Sequence, residues 1–514
     1  MNPGIVETSL GKIRGAIVDG VHVFKGLRYA ASTAGDGRFL PPRPVEAWSG
    51  IRDAVAFAPS APQIAVPQNT DPFFSWYSAI EPIGEDCLAA NVFTPAIDGG
   101  KRPVMFWIHG GGWREFSGTA PGFQGSKLAL AEDVVVVTVN HRLTAFGFLQ
   151  LPGERFADSG NAGLLDLVAA LRWVKENIAA FGGNPDNVTI FGESGGASKI
   201  AALLAMKAAT GLFHKAILQS SAGGMHLAIP EDSARQAAGL AAALGFDKLD
   251  GDQMQNVPLE TLVHALERVP GRFRGMLDGR TFDDHPFDDH ASSLSTTVPV
   301  LIGCTNTEAT YYLRDDPSNF SLSRDRAKKR LSRFLRIDDV TEIEQIVADY
   351  SEAYQTDCGT DLLVMVASDF IFKRTAWRIA ELKSQTSSAP VYAFIFNWES
   401  TVEGGRMRSP HTSEIPFIFG TTDAARALVG EANDVGHMTR LMMATWASFA
   451  RTGDPNNQHV PQWLPFSETS PHVMMLQPDC SLALDPGGAA RSSLTSLPWF
   501  GYSYAIDPLR RDDL

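Results

Sequence analysis

Val188-Thr189-Ile190-Phe191-Gly192-Glu193-Ser194-Gly195-Gly196-Ala197-Ser198-Lys199-Ile200 opens the stretch, continuing to Met206, around which the rest of the chain can be read. Val188 to Phe191 is β-branched and apolar, the make-up of a buried strand. From Ala197 onward Ala and Leu dominate, which predicts a helix. Between them lies Gly192-Glu193-Ser194-Gly195-Gly196, a G-x-S-x-G in a strand–turn–helix setting. In so tight a turn only Gly can flank the serine without a Cβ clash. The turn lifts the Ser194 hydroxyl clear of the sheet, at the start of a helix whose dipole favours developing negative charge. A plain glycine-rich β–α turn is the alternative; the flanking pattern favours a nucleophile.

Working outward, further apolar runs read as strands: 103–109 (PVMFWIH) and 134–140 (VVVVTVN) before the serine, then 214–221 (HKAILQSS), 298–306 (VPVLIGCTN) and 391–398 (VYAFIFNW) after it. Helical stretches such as 164–180 separate most of them. Continuous apolar strands alternating with helices predict an α/β fold with a large, mostly parallel central sheet covered on both faces. Residues 1–60 carry short alternating segments, including Val21-His22-Val23-Phe24, and predict a small antiparallel hairpin region. Residues 59–85, rich in Pro, Gln and aromatics, predict a long surface loop. No linker or repeat divides the chain, so one domain over 1–514 is expected. Two helical insertions, 230–277 and 317–371, are expected to cap or wall the carboxyl ends of the strands.

The 514 residues include 58 acidic and 44 basic side chains, for a net charge of −14. That balance argues against nucleic acid or an anionic membrane surface as partner. No run is long and apolar enough to span a bilayer. The start, MNPGIVETSLGKIRG, shows no secretory pattern. Cys87, Cys304, Cys358 and Cys480 are scattered without metal-type spacing and read as fillers in a reducing, cytoplasmic setting.

A serine hydroxyl is a poor nucleophile, so Ser194 needs a base, an acid that orients it, and donors for the oxyanion. In α/β-hydrolases the order is serine, acid, histidine. The run 298–306 leads straight into Thr307-Glu308-Ala309, where a carboxylate would point into the crevice at the strand ends; Glu308 is the expected acid, helix capping its bland alternative. His411, in the loop after the run 391–398, is the expected base, with His437 as runner-up. Such a base, neutral when active, would titrate at roughly 6 to 7. The run 103–109 ends in Gly110-Gly111-Gly112-Trp113. Gly111 and Gly112, with Gly195, are the expected oxyanion donors, because glycines let backbone N–H groups approach a ligand closely. Asp283-Asp284-His285 and Asp288-Asp289-His290 form a near-repeat. Between Gly and Pro turns it reads as a surface loop rather than a metal site, and the chemistry calls for neither metal nor cofactor.

These features together resemble the type-B carboxylesterases, the cholinesterase-like branch of the α/β-hydrolases, in its bacterial form. The resemblance runs through FKGLRYA, GRFLPP, GEDCLAANVF, IHGGGW, VNHRL with FGFL, the segment 160–196, HTSEIPFIFG and WASFARTGDPN. It implies Ser194, Glu308 and His411 as the triad and the same three glycines as oxyanion donors. It further implies Glu193, Ser220 and Glu414 as supporting polar residues, and ion pairs Arg38–Glu85 and Arg142–Asp166 as structural locks. Arg28 stands where relatives carry Pro. Cys87 matches a cysteine that secreted members pair with an earlier one, which this sequence lacks.

The expected function is therefore hydrolysis of small-molecule carboxylic esters through an acyl-enzyme, by a monomer or homodimer. Amide or carbamate hydrolysis on the same machinery is the nearest alternative, and a catalytically silent binding protein a distant one. Phe73-Phe74-Ser75-Trp76-Tyr77 packs four aromatics into the Pro-flanked loop and predicts either an exposed binding surface that serves as a lid wall or, equally, rings that pin the loop to the body. Phe74 and Trp76, with Trp113 and Met225 deeper in, are the expected substrate-contacting residues.

Overall fold

The computed structural model describes residues 4–64, 71–78, 81–501 and 504–512. Fourteen strands form among them, numbered here in chain order: β1 (Ile5–Thr8), β2 (Gly11–Arg14), β3 (Ala16–Val18), β4 (Val21–Arg28), β5 (Ile51–Asp53), β6 (Ala89–Thr94) and β7 (Arg102–Ile108). The second half supplies β8 (Val135–Val139), β9 (Gly183–Glu193), β10 (Lys215–Gln219), β11 (Val300–Thr305), β12 (Val391–Phe396), β13 (His472–Leu476) and β14 (Ser481–Leu484). Eleven of them build one sheet in the order β14-β13-β12-β11-β10-β9-β7-β8-β6-β4-β3. From β8 through β13 each neighbouring pair is parallel. Only the flanks are antiparallel, β6, β4 and β3 on one side and β14 on the other.

Side-chain alternation explains why this sheet needs cover on both faces. In β7, Val104, Phe106 and Ile108 join one apolar cluster while Met105 and Trp107 join another across the sheet. In β8, Val135 and Val137 take the first side and Val136 the second. Each such fully buried side chain contributes about 1.5–3 kcal/mol. Helices Ala162–Asn177 and Gly195–Leu204 cover the first face; Val435–Thr452 covers the second. Strands β6, β13 and β14 were not legible as apolar runs; β6 mixes Ala, Asn and Thr among its apolar residues, and β14 is the partly exposed edge of the sheet.

Both implied locks are formed. Arg142 and Asp166 make a buried pair at 2.6 Å, and Arg38 and Glu85 another at 2.6 Å. Arg38 also donates to the carbonyls of Gln255 and Val257, tying the 230–277 stretch to the body. That stretch is helical at Pro230–Leu244, Gly251–Gln255 and Leu259–Leu266. The 317–371 stretch holds helices Arg324–Leu335, Val340–Tyr354 and Gly359–Ser368 around an apolar cluster of their own.

The loop 59–85 corrects an expectation. Its residues 65–70 and 79–80 lie outside the described ones. The aromatic run is not an exposed surface: Phe73, Phe74, Trp76 and Tyr77 are all buried. Pro72–Ser75 forms a helical turn capped by Asp71, whose side chain accepts from Phe73 N and pairs with Arg314. Arg314 lies over the Phe73 ring, and Tyr77 packs edge-on against Phe116 and Phe123. Phe116, Phe123 and Tyr311 give these rings apolar partners, and burying them against those partners draws the segment inward.

Candidate active site

Ser194 sits at the junction of β9 and the helix Gly195–Leu204 with φ 53° and ψ −119°, a region that non-glycine residues rarely occupy. The turn is held from both sides: Ser194 N donates to Gln219 O at 2.8 Å and its carbonyl accepts from Ser198 N at 3.0 Å. Strain of about 1–3 kcal/mol is stored there, and the body over-determines it.

Glu308 lies three residues past β11 and is fully buried. Its Oε1 accepts from Ser220 Oγ at 2.5 Å and from Thr305 N at 2.7 Å. Its Oε2 lies 2.5 Å from His411 Nδ1. His411 follows β12 in a loop anchored by Ser409, which donates from N to Thr307 Oγ1 and from Oγ to the Trp398 carbonyl. Phe372, Tyr311 and Tyr312 surround the ring, with centroids 4.8, 5.5 and 6.1 Å away. The imidazole is thus fixed in orientation, Nδ1 toward Glu308 and Nε2 toward Glu193.

The other nitrogen faces an acid too. His411 Nε2 is 3.0 Å from Glu193 Oε1, and Tyr77 Oη donates to Glu193 Oε2 at 2.6 Å. Burial presses the imidazole pKa down, but Glu193, Tyr312 and Glu308 outweigh it and hold His411 well above the ordinary imidazole range. The expected titration at roughly 6 to 7 is corrected upward on this ground. Glu414 completes the acidic group: Gln219 Nε2 donates to its Oε1 at 2.9 Å, and Trp446 Nε1 holds Gln219 at 3.1 Å. Burial first, then the charges of Glu193 and Glu308, push the Glu414 carboxyl up to about 8, so it is protonated at neutral pH.

The glycine loop meets the Ser194 turn closely. Gly111 and Gly112 adopt φ 81° and 58°. A Cβ added at Gly195 would meet Gly112 N at 2.5 Å, so these backbones can converge only as glycines. A Cβ on Gly112 would strike the Arg272 guanidinium, which brings the 230–277 stretch against this loop. Trp113 is buried beside Phe148.

The structure therefore gathers Glu193, Ser194, Ser220, Glu308, His411 and Glu414 at the carboxyl ends of β9 to β12. His437 is elsewhere, on the helix Val435–Thr452 with Nε2 3.2 Å from the Pro478 carbonyl. Met225 packs in the first-face core and Trp76 against Tyr77 and Gly122; Phe74 stands one ring from the imidazole, through Tyr311. Outside the near-repeat in sequence, His226 lies 3.3 Å from its Asp288, with its ring tilted against His285 at 4.7 Å between centroids. No group of three or more His, Cys, Asp or Glu among the described residues could hold a metal ion. Sequence reasoning missed Tyr311, Tyr312, Phe372 and Gln219. The two tyrosines had a signal, following the acid by three and four residues.

The chain is similar to known proteins over almost its whole length. The profile of the Carboxylesterase family matches residues 2–487. Para-nitrobenzyl esterase of Bacillus subtilis is 34% identical over 96% of this chain and 99% of its own. Phenmedipham hydrolase of Pseudarthrobacter oxydans is 34% identical, over 92% of this chain and 94% of its own. Among solved structures, the Geobacillus stearothermophilus carboxylesterase EST55 superposes with a TM-score of 0.82 at 36% identity, covering 95% of this chain and 99% of that one.

Proposed function

This chain belongs to the carboxylesterase family, with an α/β-hydrolase fold and carboxylic ester hydrolysis as its activity, and from that premise we propose that Ser194, His411 and Glu308 form its catalytic triad. The observation that supports this reading most is the 2.5 Å contact from Glu308 Oε2 to His411 Nδ1, with the Nε2 face directed at the Glu193–Ser194 turn. His411 takes the Ser194 proton as Oγ attacks the ester carbonyl. The carbonyl oxygen becomes an oxyanion, which the N–H groups of Gly111, Gly112 and Gly195 receive. The intermediate collapses, His411 returns the proton to the leaving alcohol, and the acyl group stays on Ser194. His411 then activates water, and the acid is released by the reverse sequence. Glu308 stabilises the imidazolium in each half. No metal or cofactor takes part in these steps.

Glu193, Ser220 and Glu414 support the triad in this scheme: Ser220 orients Glu308, and Glu193 faces the base. Phe74, beside Tyr311, stands behind the substrate pocket, and Trp113 beneath the oxyanion loop. The insertion 230–277 walls the cleft through Arg272, and 317–371 leads directly into Phe372 beside the imidazole, all within one domain. The enzyme acts on small-molecule esters as a monomer or homodimer, in the cytoplasm. Four cysteines without disulfides, two of them buried, support a reducing compartment. No helix among the described residues is long and apolar enough to cross a membrane.

The test is a panel of p-nitrophenyl esters, anilides and carbamates, joined to labelling with a fluorophosphonate and peptide mapping. The label is expected on the peptide containing Ser194, with esters turned over fastest. Ser194→Ala is expected to fold normally and lose several orders of magnitude in kcat. Labelling of a different serine, or an active alanine variant, overturns the assignment.

A further inference from the structure

The helix Gly195–Leu204 carries a lysine in its second turn that the triad does not use. Lys199 is fully buried, and its Nζ has no hydrogen-bond partner among the described residues. Burying an amine this way is costly, and Met or Leu would fill the same volume without that cost. What it faces gives it a role. Nζ lies 5.2 Å over the ring of Trp113, the residue that follows Gly111 and Gly112. Trp113 is itself held at φ 71°, with its carbonyl accepting from Thr144 N at 2.9 Å.

Titratable neighbours come from three strand ends. His109, after β7, and His141, after β8, are both buried, with ring centroids 4.7 Å apart. Burial, and after it the lysine charge, presses both imidazoles well below their ordinary value, so they are neutral. The acid that acts on Lys199 is Glu193, at the end of β9. Burial lowers the amine and Glu193 opposes it, leaving Lys199 at about 7, so that it carries its charge on the acid side of neutrality. The positive charge of this cluster therefore sits on Lys199, under the loop that is read as the oxyanion hole.

We propose that Lys199 is a positioning residue for the oxyanion hole: its buried ammonium pins the Gly111-Gly112-Trp113 loop through the face of Trp113 and adds positive potential where the tetrahedral oxygen gains charge. The proposal rests on Ser194 as the nucleophile. A cation against an aromatic face is held more strongly when both are dry. In a low-dielectric interior its field also reaches the reacting oxygen across several ångströms. An ester carbonyl carries little charge before attack and a full one afterwards. The contribution therefore falls on the transition state rather than on substrate binding.

Lys199→Met keeps the volume and removes the charge; Lys199→Gln serves if the Met variant does not fold. For each, kcat, KM, melting temperature, fluorophosphonate labelling and inhibition by a trifluoromethyl ketone, which forms an oxyanion on the nucleophile, are measured across about pH 6 to 9. The expected result is a kcat roughly tenfold lower with KM within about twofold, and ketone affinity weakened by the same factor as kcat. The ratio of wild-type to variant kcat is expected to be largest at low pH. It shrinks as pH rises through the lysine ionisation, because the charge that separates the two proteins is then lost. The histidine requirement is common to both and cancels in the ratio. With Ser194 labelled in the wild type, unchanged kcat in both variants overturns the proposal alone. So does a fall in kcat and stability together with unchanged ketone affinity, or a ratio that does not vary with pH. A wild type labelled at another serine overturns the nucleophile reading, and this proposal with it.

Discussion

His411 Nε2 stands 3.0 Å from Glu193 Oε1, so the histidine has a carboxylate at each ring nitrogen. A base between two acids is easy to protonate and correspondingly slow to become active. In the proposed mechanism attack by Ser194 requires neutral imidazole, so kcat/KM is expected to rise with pH through a limb displaced above the ordinary imidazole range, the direction set by Glu193 and Glu308. Glu193→Gln removes one acid and should move that limb to lower pH. Superimposed pH profiles for the wild type and Glu193→Gln would show that this pairing does not govern the base.

The choice of base is tested by exchange. His411→Ala should lose several orders of magnitude in kcat, because no other imidazole faces Glu308. His437→Ala, whose ring lies by the Pro478 carbonyl, should remain active. Steady-state kinetics on one activated ester decides between them, and the opposite pattern would remove His411 from the triad.

Glu414 makes a prediction about stability. Its carboxyl is held up to about 8 in the folded chain, against roughly 4.3 when unfolded. The native state thus keeps a proton that the unfolded chain gives up. This contribution is complete below the unfolded value and is lost as pH rises toward 8. Glu414→Gln carries a neutral amide at every pH. Its urea midpoint should match the wild type near pH 4 to 5 and exceed it increasingly up to about pH 8. Parallel midpoint curves would mean the carboxyl is ionised throughout.

The aromatic segment gives the fourth expectation. Phe74 and Trp76 are 5% and 2% exposed, so truncation opens cavities rather than trimming a surface. Phe74→Ala and Trp76→Ala should each lose about 3–5 kcal/mol in denaturant unfolding. Trp76→Ala should leave the ranking of small and bulky esters unchanged. Phe74→Ala should disturb it modestly, through Tyr311. Full stability together with selective loss on bulky esters would restore a lid.

Much of the proposed site was legible before any coordinates, and for a physical reason. The Ser194 turn, the glycines at 111, 112 and 195, and the acid placed just past an apolar strand are local constraints. Each follows from Cβ clashes, positive φ or strand direction within a few residues. The alternating cores behind β7 and β8 could be read the same way. The charges could not. Glu308 reaches His411 across 103 residues of chain, Tyr77 reaches Glu193 across 116, and Gln219 reaches Glu414 across 195. Whether an acid is ionised, or a lysine stays charged under Trp113, depends on which side chains from distant segments exclude water around it. The aromatic run at 73–77 shows the same limit: its composition fits an exposed patch and a buried one equally. Packing against Phe116, Phe123 and Tyr311 put it inside, because burying those rings outweighs leaving the loop in water.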